Sequence, residues 1–416
     1  MRLLLDSLNC NPNLGSNSES GFGFVREAAK RHHVILLTHR DIFQQAGNRF
    51  DTEPLNDVSV CAVEPGLWRR LGCQSDYLLQ SYTQGRHIIR RTKIDAIHSI
   101  EPNQYLLPRP LAFLKRPFVL GPLHGGAAYP NTSFLEDLSR NRYPTGFHLP
   151  KRDAILRLRL AGAFNQALVY GSLSRRLTEW AVRRAARIVL GTQNVLQHIP
   201  EKYHAKVSFI SSMGVDLERF SPKKRTENRC PVVLFAARIT PVKGLDFLIR
   251  AFAKVVKERD MLLKIVGSGA GHPEDEAYES YCRGLVEEYG LSELIDFAGA
   301  ETREQLIRHY RAADIFCLPS LWETFGAVYL EAMACGLPII AVNAGGPREI
   351  IEPHFGIRII PESVHQLIDE LADSLVAMAA DPTMRCEMGR QARLHAEKCY
   401  DWQVLGEQME KVYQSL

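Results

Sequence analysis

Arg238, Lys243, Glu323 and Glu331 have the types and spacing to hold a ligand rich in phosphate and hydroxyl groups. Arg238 and Lys243 stand in Ala236-Ala237-Arg238-Ile239-Thr240-Pro241-Val242-Lys243-Gly244, between an apolar run and an amphipathic one. Arginine offers a planar fork to phosphate oxygens and lysine a point charge. Taken alone, an Arg-x4-Lys pair reads better as a solvated surface pair. The carboxylates lie in Pro319-Ser320-Leu321-Trp322-Glu323-Thr324-Phe325-Gly326-Ala327-Val328-Tyr329-Leu330-Glu331. Here a strand ends, a short loop carries Glu323, and a helix begins near Phe325. The first-turn amides of Gly326, Ala327 and Val328 can face an anion. Gly326, without a side chain, lets a phosphate come close. Glu323 before the helix and Glu331 two turns into it can then reach a hexose and a ribose, with a diphosphate between them. Glu331 reads as well as a buried carboxylate bonded to backbone, since buried polar groups are paired in any fold.

Other loops are less specific. Asn343-Ala344-Gly345-Gly346-Pro347-Arg348-Glu349 and Gly267-Ser268-Gly269 each follow an apolar run. The first holds a nucleotide or simply turns the chain, and the second is half a dinucleotide fingerprint. In the first half, Phe118-Val119-Leu120-Gly121-Pro122-Leu123-His124-Gly125-Gly126 puts one histidine after a strand, with glycines that leave room for a substrate. His98, Glu101 and Asn103 are candidates for an acceptor side.

These residues need elements to position them. Arg2 to Leu5, Val34 to Thr38, Ile94 to Ile100 and Pro117 to Leu120 read as buried strands, with a polar loop from Asn9 to Ser20 and a helix from Gly23 to Arg31. Residues 151–187 read as two packed helices with an arginine-rich outer face (Arg157, Arg159, Arg175, Arg176, Arg183, Arg184 and Arg187), solvated or set against anionic lipid. Pro222 to Arg229 reads as a linker. Strands then recur at Val232–Ala236, Leu262–Val266, Ile295–Phe297, Ile315–Leu318 and Ile339–Val342. Helices fall between them at Leu245–Lys257, Tyr278–Tyr289, Arg303–Ala312 and Phe325–Ala334. Such alternation predicts an α/β chain with doubly wound parallel sheets of the Rossmann type. The expected domains are 1–220 on the acceptor side and 230–395 for the nucleotide, with 396–416 a C-terminal helix packing back on the first.

Composition sets bounds. At 45% hydrophobic, 24% charged and a net charge of +4, the chain has no nucleic-acid signature. The nine cysteines are scattered without a CxxC pair or zinc spacing, and read as reduced thiols of a cytoplasmic protein. Met1 to Leu5 is too short for a signal peptide, and no apolar run is long enough to span a bilayer.

The ordered set of segments resembles the retaining glycosyltransferases of the GT-B fold, family 4. The matching pieces are Gly214-Val215-Asp216-Leu217-Glu218-Arg219-Phe220, Arg238 with Lys243-Gly244, Val266-Gly267-Ser268-Gly269, Phe297-Ala298-Gly299, Asp314 to Ser320, Glu323-x7-Glu331, Gly336-Leu337-Pro338 and Gly345-Gly346-Pro347-Arg348-Glu349. The resemblance covers about the last 200 residues and implies two Rossmann-like domains facing a central cleft. It implies a nucleotide diphosphate sugar as donor, transfer of a hexose-type sugar with retention, and a hydroxyl acceptor on a glycan or lipid-linked glycan. By resemblance Arg238 and Lys243 bind the diphosphate, Glu323 the donor-sugar hydroxyls and Glu331 the ribose. Gly267, Phe325, Gly326, Ala327 and Val328 line the donor, glycines 326, 345 and 346 let backbone approach it, and His124 faces the anomeric centre. Asn13-Leu14-Gly15-Ser16-Asn17 stands where similar enzymes place a glycine-rich loop facing the donor, so Gly15 and Ser16 join the candidates. No cofactor and no metal are expected, in keeping with the lack of an Asp-x-Asp motif. The implied setting is polysaccharide, lipopolysaccharide or glycolipid synthesis at the inner face of a membrane. A nucleotide-sugar 2-epimerase, a glucan synthase or phosphorylase, and a catalytically silent sugar-nucleotide binder are the competing readings.

Overall fold

The computed structural model describes residues 1–11, 16–40, 44, 58–63, 75–101, 109–124, 132–140, 172–222 and 230–416. Gly15, Asn103, most of the expected linker and residues 151–171 lie outside them. The chain divides into two compact units: Met1–Gly126 with Leu158–Gly214 and Cys399–Leu416, and Ala127–Arg157 with Val215–Lys398. Each is built on one parallel sheet.

The first sheet holds β1 (Arg2–Asp6), β2 (His33–His39), β3 (Val58–Val63), β4 (Ala96–Ser99), β5 (Phe118–Leu123), β6 (Arg187–Leu190) and β7 (Val207–Phe209). Their order is β3-β2-β1-β4-β5-β6-β7. Alternation along β1 sends Leu3 and Leu5 to one face and Leu4 to the other. The Leu3/Leu5 face packs with Phe24, Val34, Trp402, Leu405 and Met409 under the helices Ser16–Ala29 and Trp402–Gln414. The Leu4 face packs with Leu111, Phe118, Ala181 and Val182 under Ser172–Arg184 and the turn Pro110–Phe113. Trp402 fills a slot made by two glycines: a Cβ at Gly23 or Gly214 would stand 2.4 or 2.6 Å from its ring.

The second sheet holds β8 (Val232–Ala236), β9 (Leu262–Val266), β10 (Ile295–Gly299), β11 (Ile315–Leu318), β12 (Ile339–Val342) and β13 (Gly356–Ile359), ordered β10-β9-β8-β11-β12-β13. Every pairing described in either sheet is parallel. β11 and β12 are buried along their whole length, as strands covered on both faces must be. Helix Leu245–Val255 buries Phe247, Leu248 and Phe252 and packs against helix Val364–Ala380. Arg393 closes the unit by donating to the carbonyls of Phe220 (2.8 Å) and Ala334 (2.7 Å).

Three local expectations change. Residues 16–20 belong to a helix, not to the loop expected from Asn9 to Ser20, because Ser18 and Ser20 are small enough to sit buried on its inner side. Strands β3, β6, β7 and β13 are not among the expected strands, although Val60 to Val63 in β3 and Ile188 to Leu190 in β6 are apolar runs at least as long as Leu3 to Leu5. Arg187 lies in β6 and donates to Ser415 (2.8 Å), so it does not belong to a helical basic face. Among the described residues no helix is long and apolar enough to cross a membrane.

Candidate active site at the switch point of the second sheet

β8 and β11 are neighbours, and from them the sheet grows in opposite directions through β9 and β12. Ligands of open α/β sheets bind beyond the carboxyl ends of two such strands. Arg238, Lys243 and Glu323 all follow those ends. After β8 the chain is stitched to the exit of β9: Ala237 N–H donates to Val266 O and Ile239 N–H to Ser268 O, both at 3.1 Å. Ile239 is buried, and between these anchors Arg238 stands exposed, 3.8 Å from Asp275. Gly267 makes the stitch possible: its φ is +143°, and a Cβ there would lie 1.8 Å from Ala237 O. Lys243 ends the short turn Pro241–Lys243, and its ammonium donates to Glu323. The two side chains assigned to phosphate and to hydroxyls are thus paired with each other, both largely shielded from solvent. A bound ligand must share that pair or part it.

The backbone around Glu323 is held from two sides. Leu321 N–H donates to Val242 O (2.8 Å), and Gly346 N–H donates to Glu323 O (2.8 Å). Gly345 has φ +63°, and a Cβ on it would lie 1.9 Å from Glu323 O; one on Gly346 would lie 2.0 Å from Phe325 O. These glycines let one loop press on another, in keeping with the reading of the segment as a turn; the family resemblance adds approach of backbone to the donor. Gly326, at φ +94°, is the N-cap of helix Ala327–Ala334. The first amides of that helix have no intrahelical acceptor. Phe325 is buried beside them, and Ala327 and Val328 are half-buried.

Glu331 is only 4% exposed. Its oxygens accept from Arg303 (3.0 Å) and from the Tyr310 hydroxyl (2.9 Å). Burial, and then the charge of Glu331, push the Tyr310 hydroxyl well above its ordinary pKa. Arg303 also lies 5.1 Å from the Phe220 ring. Both of these bonds come from side chains. Arg303 escaped the sequence reading because nothing local marks a helix-opening arginine as the partner of a glutamate 28 positions on.

Residues 216–395 match the family model for glycosyl transferases group 1. They form a glycosyl transferases group 1 domain. This group 1 domain contains every residue of the switch-point cluster. Curated relatives include a GDP-mannose-dependent monoacylated alpha-(1-6)-phosphatidylinositol monomannoside mannosyltransferase of Corynebacterium glutamicum, 32% identical over 58% of this chain and 61% of that protein. A D-inositol 3-phosphate glycosyltransferase of Corynebacterium jeikeium is 33% identical over 62% of this chain and 65% of that protein. The chain thus spans just over three fifths of these relatives. Two solved structures share its fold. A sucrose-phosphate synthase from Thermosynechococcus elongatus has TM-score 0.68 and 20% identity, covering 100% of this chain and 98% of its own. An Anabaena protein in complex with UDP and glucose has TM-score 0.64 and 17% identity, covering 100% of both. The fold is GT-B, with the group 1 domain as its second parallel-sheet domain.

The first unit has its own switch point, between β1 and β4. A buried charged cluster sits there. Asp6 accepts from Tyr77 (2.5 Å) and Ser99 (3.0 Å), and Glu101 accepts from Ser7 and from the Asn9 amide, both at 2.9 Å. Burial raises Asp6 to about 6 and Glu101 to about 7, while buried Arg109 is lowered to about 10. Glu101 therefore orders the backbone leaving β1, through Ser7 and Asn9. His98 is corrected more sharply: it is fully buried, with Nδ1 2.6 Å from the Tyr413 hydroxyl and Nε2 2.5 Å from Gly121 O. With both nitrogens committed, its ring braces the C-terminal helix and has none left for an acceptor. His124 directly follows β5, is 6% exposed, and among the described residues its Nδ1 has no hydrogen-bond partner. Burial lowers it to about 4, so it is neutral near pH 7. Ser16 opens the first helix. Asp6, Tyr77 and Arg109 were missed by the sequence reading; the available signal was an acid at the end of the first strand.

Proposed function

We propose that the chain is a retaining, metal-independent glycosyltransferase that moves a hexose-type sugar from a nucleotide diphosphate to a hydroxyl acceptor. The observation that carries this reading is the gathering of Arg238, the Lys243–Glu323 pair and the first amides of helix Ala327–Ala334 past β8 and β11. A departing diphosphate gains negative charge as the C1–O bond breaks. Preset cations and amides stabilise that charge without reorganising. Arg238 and Lys243 supply the cations, and the helix supplies the amides. Lys243 turns from Glu323 to phosphate, which frees Glu323 to accept from donor-sugar hydroxyls. Glu331, steadied by Arg303 and Tyr310, takes the ribose hydroxyls. The acceptor oxygen bonds to C1 on the face the diphosphate leaves, and its proton passes to a leaving phosphate oxygen. His124, neutral and with one nitrogen uncommitted, is the polar group assigned to the anomeric centre. The acceptor is a glycan or lipid-linked glycan hydroxyl. The named relatives support this class, since one is named for GDP-mannose and a phosphatidylinositol mannoside.

A thermal-shift panel of GDP, UDP and ADP with their sugars tests the reading, because a ligand that binds only the folded state raises its melting temperature. One nucleotide series should raise it, and Glu323→Ala should keep the nucleoside diphosphate shift while losing transfer. Undiminished transfer by Glu323→Ala, or a product of inverted anomeric configuration, would refute it.

A further inference from the structure

Two buried oxygens of the second unit lack what buried oxygens need. Thr240 is 4% exposed, Asn343 is half-buried, and among the described residues neither Thr240 Oγ1 nor Asn343 Oδ1 has a hydrogen-bond partner. They are the neutral side-chain atoms of that unit left in this state. The great majority of buried polar groups are paired, and an unpaired one weakens the fold. Both lie past the carboxyl ends of the strands that flank β11, Thr240 after β8 and Asn343 directly after β12. β11 leads into the Glu323 loop, so the two oxygens follow the strands on either side of the one that carries Glu323. Packing faults would fall anywhere in the unit; these fall at the end of the sheet where ligands of such folds bind.

The backbone at each position is fixed. Thr240 precedes the turn Pro241–Lys243 in extended conformation (φ −137°, ψ 153°), and its carbonyl accepts from the Lys243 amide (2.9 Å). A threonine before a helical turn ordinarily sets its hydroxyl on the first amides of that turn. This hydroxyl makes no such bond, and it stands in the chain between Arg238 and Lys243 with an O–H to donate. Asn343 donates its own amide N–H to Ile359 O (2.7 Å), which ties it to the end of β13. Gly345 and Gly346 of the same loop press on Glu323 and Phe325.

We propose that Thr240 and Asn343 are donor-binding residues: the Thr240 hydroxyl donates to a diphosphate oxygen, and the Asn343 amide oxygen accepts from a hydroxyl of the transferred sugar. This assignment rests on the transfer reading and extends it. The chemistry of the two groups sorts them. Ionised phosphate oxygens only accept, so they call for the O–H; a sugar hydroxyl has a proton to give, so it suits the lone acceptor. Their neighbours agree, since Thr240 stands with the two cations and the Asn343 loop holds the backbone of Glu323. A buried group that is paired only in the complex also rejects an analogue lacking its partner, so Asn343 makes the site select for a sugar that carries this hydroxyl.

Thr240→Val and Asn343→Leu test it, because each keeps the side chain's shape and removes the unpaired atom. Calorimetric titration of the unaltered full chain with GDP, UDP and ADP, and with their sugars, first selects the nucleotide. Thr240→Val should then bind that nucleoside diphosphate roughly ten- to hundredfold more weakly, the size of a lost hydrogen bond to a charged group, and Thr240→Ser should recover most of the loss. Asn343→Leu should weaken the sugar nucleotide several-fold more than the nucleoside diphosphate. Urea midpoints separate this from a structural role: they should hold or rise in Thr240→Val and Asn343→Leu, since a buried unpaired group is gone, whereas a structural role lowers them and leaves affinity alone. Thr240→Ala stands in should the valine variant not fold. Unchanged affinities in these variants, or a Thr240→Ser protein as weak as Thr240→Val, overturn the proposal while the transfer reading stands. If no nucleoside diphosphate binds the unaltered chain, both fall.

Discussion

Gly345→Ala and Gly290→Ala form a matched pair that isolates what holds the Glu323 loop. Both glycines have left-handed backbone, with φ +63° and +67°. An alanine in that region costs about 1–2 kcal/mol. At Gly290 a Cβ meets nothing within 4 Å, so the backbone term acts alone. At Gly345 the Cβ would lie 1.9 Å from Glu323 O, while real contacts do not fall under 3.0 Å. The loops must therefore part by more than about 1 Å, which strains or breaks the Gly346–Glu323 bond, worth about 1 kcal/mol. Gly345→Ala should thus cost about 2–3 kcal/mol and Gly290→Ala about 1–2 kcal/mol, read as urea midpoints at unchanged slope. Function should separate them further. A misplacement of about 1 Å can cost about a hundredfold in rate, so Gly345→Ala should lose transfer by about that factor while Gly290→Ala keeps it. Equal midpoints and equal transfer in the two variants would refute the view that the Gly345 loop sets the position of Glu323.

Other perturbations reach other parts of the molecule. Folded Glu101 keeps its proton up to about pH 7, whereas the unfolded side chain releases it near 4.5, so the folded state binds more protons between these values. The stability of the unaltered chain relative to Glu101→Gln should therefore fall as pH rises from about 4.5 to about 7, by up to about 3 kcal/mol, and level off above; a flat or rising difference in urea titrations would contradict this. Trp402→Ala empties the slot beside Gly23, Gly214 and Phe24 and should cost about 3–5 kcal/mol, with the C-terminal helix becoming the first site of proteolysis; cleavage elsewhere first would count against its bracing role. Transfer should survive exhaustive chelation, and activity lost to EDTA and restored by a divalent ion would remove the metal-independent reading.

The strands at Val232–Ala236, Leu262–Val266, Ile315–Leu318 and Ile339–Val342, and the helix Arg303–Ala312, were legible to the residue in the sequence. Their periodicity and caps depend on residues within a turn or two, and Thr302 with Gln305 even forms the full capping box. Short strands such as β7 and β13 were not legible, because they draw their stability from neighbours in the sheet.

The candidate residues Arg238, Lys243, Glu323 and Glu331 were nameable from sequence as well, through their types and their place in the family's ordered motifs. Only the tertiary structure decided what each one touches. Lys243 and Glu323 are 80 positions apart and meet because β8 and β11 are adjacent. Glu331 meets Arg303 and Tyr310, His98 meets Tyr413 across 315 positions, and Gly345 owes its identity to the carbonyl of Glu323. Local pattern is written in neighbouring residues, whereas such adjacencies follow from strand order and close packing, which the whole chain settles together.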